Sequence, residues 1–198
     1  MRCGDLLKPH ANAGTLSYGV VPQTLSWTRT ASGSGFNYSY GLPIATNFSL
    51  PLQGGMPAAV MLCQPATLNG VATIKATDIL VANSLHRVTD ARELANQTIS
   101  TYREDCAQTN TNAKPFVFDA NGGATVALSK GVSTYNADAV NQILAGQVLP
   151  DFSSGSYIVL TVYSYIKPDG GTAYFMVQHQ GTSLSGLKDG VLGIWSQQ

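Results

Sequence analysis

The chain has 198 residues, of which 44% are hydrophobic and only 11% charged, and its formal net charge is +0. An ordinary globular chain carries roughly 25% charged residues; here Ser, Thr, Asn, Gln and Gly stand in their place. The composition excludes a disordered chain, which needs low hydrophobicity or high net charge, and the length suffices for a self-sufficient core. Eleven basic residues balanced by eleven acidic ones leave no cation cluster to neutralise phosphates, so nucleic acid is not expected as the main partner. No apolar run reaches the roughly 18 residues of a membrane span.

In chain order, the amino end MRCGDLLKPHANAG has Asp5, Lys8 and Pro9 where an export signal needs its apolar stretch. It reads as a protein kept without export, or as a mature form whose signal has been removed. Residues 1–34 are expected to form an N-terminal arm with short strands, LSYGVV and TLSWTR, separated by Pro22. Residues 35–198 then make a single β-rich domain. Gly35, Gly41, Pro43, Pro51, Gly54, Gly55, Pro57, Pro65 and Gly70 forbid long helices across the next segment and leave short strands and turns. AAVMLC and VATIKATDILVA are its best strands.

The character changes at Leu85. In HRVTDARELANQTISTYREDC, Val88, Ala91, Leu94 (or Ala95), Ile99 and Tyr102 recur three to five residues apart, which predicts one helix near 88–106. Asp90 and Glu93 match a capping box at its start. PFVFDANGGATVALS reads as a hairpin turning at Asn121-Gly122-Gly123, and a short helix is predicted near 137–145, capped by Asn136 and ended by Gly146. SYIVLTVYSYIKPDGGTAYFMVQHQ is two strands joined at Pro168-Asp169-Gly170-Gly171. In its first arm, Tyr157, Val159, Thr161, Tyr163 and Tyr165 share one face, and Ile158, Leu160, Val162 and Ile166 share the other. Such a strand is central in a sandwich, or half of it faces a partner. LKDGVLGIW is a last strand or a docking tail. The fold class is therefore mainly β with two helices, a β-sandwich or jelly-roll-like domain.

Cys3, Cys63 and Cys106 are too few and too widely spaced for a disulfide framework or a zinc site. Free buried thiols are the plain reading; a Cys63–Cys106 bridge is the alternative in an oxidising compartment. His10, His86 and His179 are scattered. His86, Asp90 and Ser84 would need to converge to make a hydrolytic triad, and a helix-entrance cluster satisfying backbone donors is the simpler reading. No nucleophile elbow, HExxH or P-loop is present, and the paired glycines are turn residues. No catalytic residue, metal ligand or cofactor site is expected.

The most unusual feature is Thr30 to Ile74, 45 consecutive residues that cannot ionise. Interface cores are depleted of Lys, Glu and Asp because desolvating a charge costs several kcal/mol, which points to burial between subunits. Phe36, Tyr38, Tyr40, Ile44, Phe48 and Leu50, with Tyr163 and Tyr165 from the later hairpin, are the interface candidates. The expectation is a non-enzymatic structural subunit with copies of itself and other structural proteins as partners, most plausibly a virion protein (capsid, decoration or tail) assembled in a host cytoplasm. The alternative is an exported adhesion or carbohydrate- or receptor-binding module, extracellular or at a cell surface, with the aromatics as its platform.

Overall fold

The structure, a computed structural model, describes residues 2–5, 8–20, 23–30, 37–43, 48–51, 53–54, 57–68, 71–104, 114–128, 131–151, 156–181 and 191–197. The strands are β1 (Arg2–Asp5), β2 (Lys8–Val20), β3 (Gln23–Thr30), β4 (Asn37–Pro43), β5 (Phe48–Pro51), β6 (Pro57–Leu68), β7 (Val71–Val81), β8 (His86–Arg87) and β9 (Thr98–Ile99). They continue with β10 (Thr101–Arg103), β11 (Phe116–Phe118), β12 (Ala124–Leu128), β13 (Gly131–Tyr135), β14 (Leu149–Asp151), β15 (Ser156–Ile166), β16 (Thr172–Gly181) and β17 (Val191–Ser196). A 3-10 turn at Ala91–Leu94 and one helix, α1 (Ala137–Leu144), complete the described elements. The fold is mainly β, as its composition and turn spacing imply.

Three antiparallel sheets result. The first has seven strands in the order β4-β3-β2-β1-β7-β6-β5; the second runs β10-β17-β16-β15-β14 with β8 also on β15; the third runs β13-β12-β11-β9. The second sheet is the middle layer. One side packs Tyr163, Tyr165, Ala173, Phe175, Val177 and Ile194 against Leu50, Ala59, Met61, Cys63, Ile79 and Val81 of the first sheet. Its other side packs Val162, Met176 and Trp195 against Val88, just after β8, and against Leu94, Ile99, Phe118, Val140 and Leu144 from the 3-10 turn, α1 and the third sheet. The two apolar faces of β15 are thus both interior, and the strand is central.

The seven-stranded sheet cannot be flat. Six inter-strand steps of about 4.8 Å would hold its edges about 29 Å apart. Yet β4 at one edge ends at Pro43 and β5 at the other starts at Phe48. The connection between them spans at most about 18 Å. The sheet is therefore rolled, in the direction its natural twist allows. On its side away from the middle layer, Val60, Leu62 and Leu80 are at most 2% exposed. Register carries that side across the sheet: Cys3 lies opposite Leu80 and Asn12, and further along β2 Leu16 lies opposite Trp27, which lies opposite Tyr40.

Two expectations are corrected. The segment 88–106 is not one helix. After the 3-10 turn, capped by the Asp90 side chain, the chain reverses at Asn96 with φ 61° and leads into β9 and β10. Thr98, Ile99, Thr101 and Tyr102 are β-branched or aromatic and favour a pleated, half-buried strand over a helix. Ile99 and Tyr102 share a helical spacing only because each enters the core from a different sheet. Within residues 1–34, β1 pairs with both β2 and β7 in the first sheet. Cys63, finally, is not a free buried thiol: it is disulfide-bonded.

The short helix forms where expected. Asn136 Oδ1 accepts from the Ala139 amide, and Val140, Ile143 and Leu144 make its buried face. The layer junction centres on Phe175, which is fully buried, stacks on Tyr163 at 5.3 Å and meets Tyr165 edge-on at 5.8 Å. Phe175→Ala is expected to lower unfolding stability by about 3–5 kcal/mol, whereas Val132→Ala on the surface stays within about 0.5 kcal/mol. Chemical denaturation of both variants checks this, and a Phe175 loss below about 1 kcal/mol would contradict the junction.

Candidate assembly surface

The sequence-predicted interface residues fall in three places. Leu50, Tyr163 and Tyr165 are 6%, 5% and 6% exposed and belong to the core between the first two layers. They are corrected from interface to interior, because strand alternation turns the tyrosine face of β15 onto β5–β7. Burial, and then the Asp169 carboxylate, push the Tyr165 phenol above its usual range. Tyr38 and Tyr40 lie on β4 and Phe48 on β5, the two edges of the rolled sheet, with side chains outside the described set. Phe36 and Ile44 lie outside the described residues.

The charge-free window has an explanation within the chain. Every residue from Ala58 to Cys63 is at most 2% exposed, so this part of β6 is covered on both sides. A strand buried twice over has no position where a charge could reach water, and an unpaired buried charge costs several kcal/mol. Among the described residues of the window, Leu50 and Ala58 to Cys63 are buried, and Leu50, Ala59, Met61 and Cys63 belong to the first layer junction.

A different uncharged surface is exposed. The outer side of the third sheet carries one row across all four strands: Thr98 pairs with Val117, Val117 with Thr125, and Thr125 with Thr134. Ala127 and Val132 add a second row on the same side. Thr98, Thr125 and Thr134 are exposed, Val117 is 44% and Val132 67% exposed. The inner side, by contrast, holds Ile99, Phe118, Ala124 and Val126 in the core. None of these six outward positions is ionisable. The nearby Asp119 turns into its own hairpin, where Oδ1 accepts from the amides of Asn121 and Gly123 at 2.8 and 2.9 Å. Gly122 is obligatory in that turn: its φ is 84°, and a Cβ would lie 2.3 Å from the Ala91 carbonyl oxygen. Sequence reasoning located this hairpin and passed over its outer side; the signal was Val117 between two phenylalanines and Thr125 between Ala124 and Val126.

The polar constellations have structural employment. His86 Nε2 lies 2.7 Å from Glu93 Oε2 on an exposed surface. Asp90, the acid expected beside it, instead meets Arg92 through both carboxylate oxygens and accepts from the Arg92 amide. These contacts hold its carboxyl down near 2. A hydrogen-bonded chain, buried except at its Glu104 end, ties β10 to β16 and β17. Trp195 Nε1 donates to Gln178 Oε1 at 2.7 Å, Gln178 Nε2 donates to the Tyr102 hydroxyl at 3.5 Å, and that hydroxyl donates to Glu104 Oε2 at 3.4 Å. Gly193 makes room for the Tyr102 ring, since a Cβ there would lie 2.5 Å from it. Among the described residues, no group of three or more His, Cys, Asp or Glu is placed to hold a metal ion, and no helix is long and apolar enough to cross a membrane. No protein family, curated protein or solved structure matches the chain.

Burial first, and the Glu104 charge second, hold the Tyr102 phenol protonated far above its usual range. A phenol whose folded pKa is raised supports the fold below its unfolded value of about 10 and loses that contribution as pH rises beyond it. Stability is therefore expected to hold to about pH 9.5 and then fall, with Tyr102→Phe falling less steeply. Denaturation midpoints across pH 8 to 11.5 check this; parallel slopes for the two proteins would contradict it.

Proposed function

We propose that this protein is a non-enzymatic structural subunit of a large assembly, a virion component of capsid, decoration or tail type, working with copies of itself and other structural proteins. The observation that carries the reading is the exposed, uncharged side of the third sheet. A sheet face that stays in water ordinarily mixes in Lys and Glu, which blunt association between copies. Here β-branched residues occupy the outward positions instead. Net charge +0 removes the long-range repulsion that would otherwise keep copies apart.

Size decides what kind of association this face suits. Four strands about 4.8 Å apart, of two, three, five and five residues, cover roughly 250 Å². A stable pairwise interface needs about 800 Å² on each partner. One such contact is weak, and it becomes strong when many are made together on a repeating surface, where each bound copy raises the effective concentration of the next. That is the situation of a subunit in a shell, tube or lattice.

A second reading, an exported adhesion or binding module, draws on the Cys63 disulfide. Disulfides persist at cell surfaces, on virions and in secreted proteins and are rare in a reducing cytosol. The bond thus fits both destinations and argues that the mature protein works outside the cytosol. The two readings separate by mutation. Thr125→Lys with Val132→Lys places like charges on the outer side of the third sheet. The variant is expected to keep its denaturation midpoint, within about 0.5 kcal/mol, and to lose species larger than the monomer. Assembly equal to that of the unaltered protein would sink the structural-subunit reading.

A further inference from the structure

Cys63 is disulfide-bonded, and the chain offers Cys3 and Cys106 as partners. The register of the first sheet decides between them. Cys3 stands opposite Leu80 of β7, and Leu80 stands opposite Val60 of β6. Directly opposed residues share a side of the sheet, so Cys3 occupies the side of Val60 and Leu80, away from the middle layer. Cys63 belongs with Ala59 and Met61 to the cluster on the side facing the middle layer. Cys3 is also two strands and three residues away from Cys63, about 14 Å by strand geometry. Disulfides join Cα atoms no more than about 7 Å apart. Side and distance both rule it out.

The other route is short. Cys63 is directly opposite Ala76. The Ala76 amide donates to the Glu104 carbonyl oxygen at 3.3 Å, and Ala76 packs against the same cluster as Cys63. Glu104 thus lies about 10 Å from Cys63, one small residue between them. Cys106 follows Glu104 by two residues, a further reach of about 7 Å. Cys106 itself lies outside the described residues; Glu104 is the last described residue before it.

We propose that Cys63 is joined to Cys106 and that Cys3 is the remaining thiol. The bond clamps β6 of the rolled sheet to the end of β10, the edge strand of the middle sheet, so that two layers held by packing are also held covalently. It forms when the Cys63 and Cys106 thiols give up two protons and two electrons to a disulfide oxidant, which leaves as its dithiol; excess dithiol reverses the step. The clamp is therefore set by the redox state of the compartment. The inference stands on strand register and is independent of the assembly reading.

Two measurements test it. On protein matured in an oxidising compartment and denatured without reductant, the unaltered chain is expected to show one free thiol, Cys3→Ser none, and Cys106→Ser two. Non-reducing tryptic mapping of the unaltered chain needs no variant to fold. Because 30–75 lacks any internal Lys or Arg, that peptide is expected to be linked to 104–130. A link from 30–75 to the amino-terminal Cys3 peptide would overturn the assignment, as would three free thiols in the unaltered protein or two in Cys3→Ser.

Discussion

The architecture depends on β15 and β16 being covered from both sides. A strand pair with two apolar faces cannot stand at the surface, because neither face can be left in water without giving up the burial that drives folding. Tyr163, Tyr165, Phe175 and Val177 recruit the first sheet, and Leu160, Val162 and Met176 recruit α1, the 3-10 turn and the third sheet. The other layers are positioned by that demand. The backbone ladder with β17 fixes the register of β10, and Gln178, itself held by Trp195, adds a side-chain bond to Tyr102.

The long run without ionisable residues takes on a different meaning in this frame. Its centre, in β6, is buried on both sides, one of them against the middle layer. The short connection from Pro43 to Phe48 makes the roll unavoidable, since covalent reach forbids a flat seven-stranded sheet. Charge was excluded there by the chain's own interior. The surface that does lack charge while facing water lies elsewhere, on the outer side of β9, β11, β12 and β13. A functional argument built on missing charge needs burial to say which of these two causes is at work.

Much of this fold was legible in the sequence, and the failures share a cause. The β15–β16 hairpin declared its strands by alternation and its turn by Pro168-Asp169-Gly170-Gly171, and the helix at Ala137–Leu144 declared its cap at Asn136. These are local signals, read by local physics. The segment after Asp90 failed because Ile99 and Tyr102 are buried by two different sheets, which no one-dimensional periodicity can express. The tyrosines of β15 were read as surface for the same reason: alternation reveals two faces and does not reveal what covers them. The outer row from Thr98 to Thr134 draws on four strands up to 36 residues apart, so it exists only once register is known. The Cys63 bond, likewise, depends on which side of a sheet each cysteine occupies.

The resulting picture is of a covalently clamped, layered β domain with one uncharged sheet face directed outward. On the proposed reading, that face makes a weak, repeatable contact in a subunit that functions in number. The most direct test is light scattering of the unaltered protein over a wide concentration range, with electron microscopy of the same samples. The expected result is a mass that climbs above the 20.8 kDa monomer as concentration rises, with rings, tubes or shells in the images. A constant 20.8 kDa at every concentration, with no ordered particles, would contradict the account.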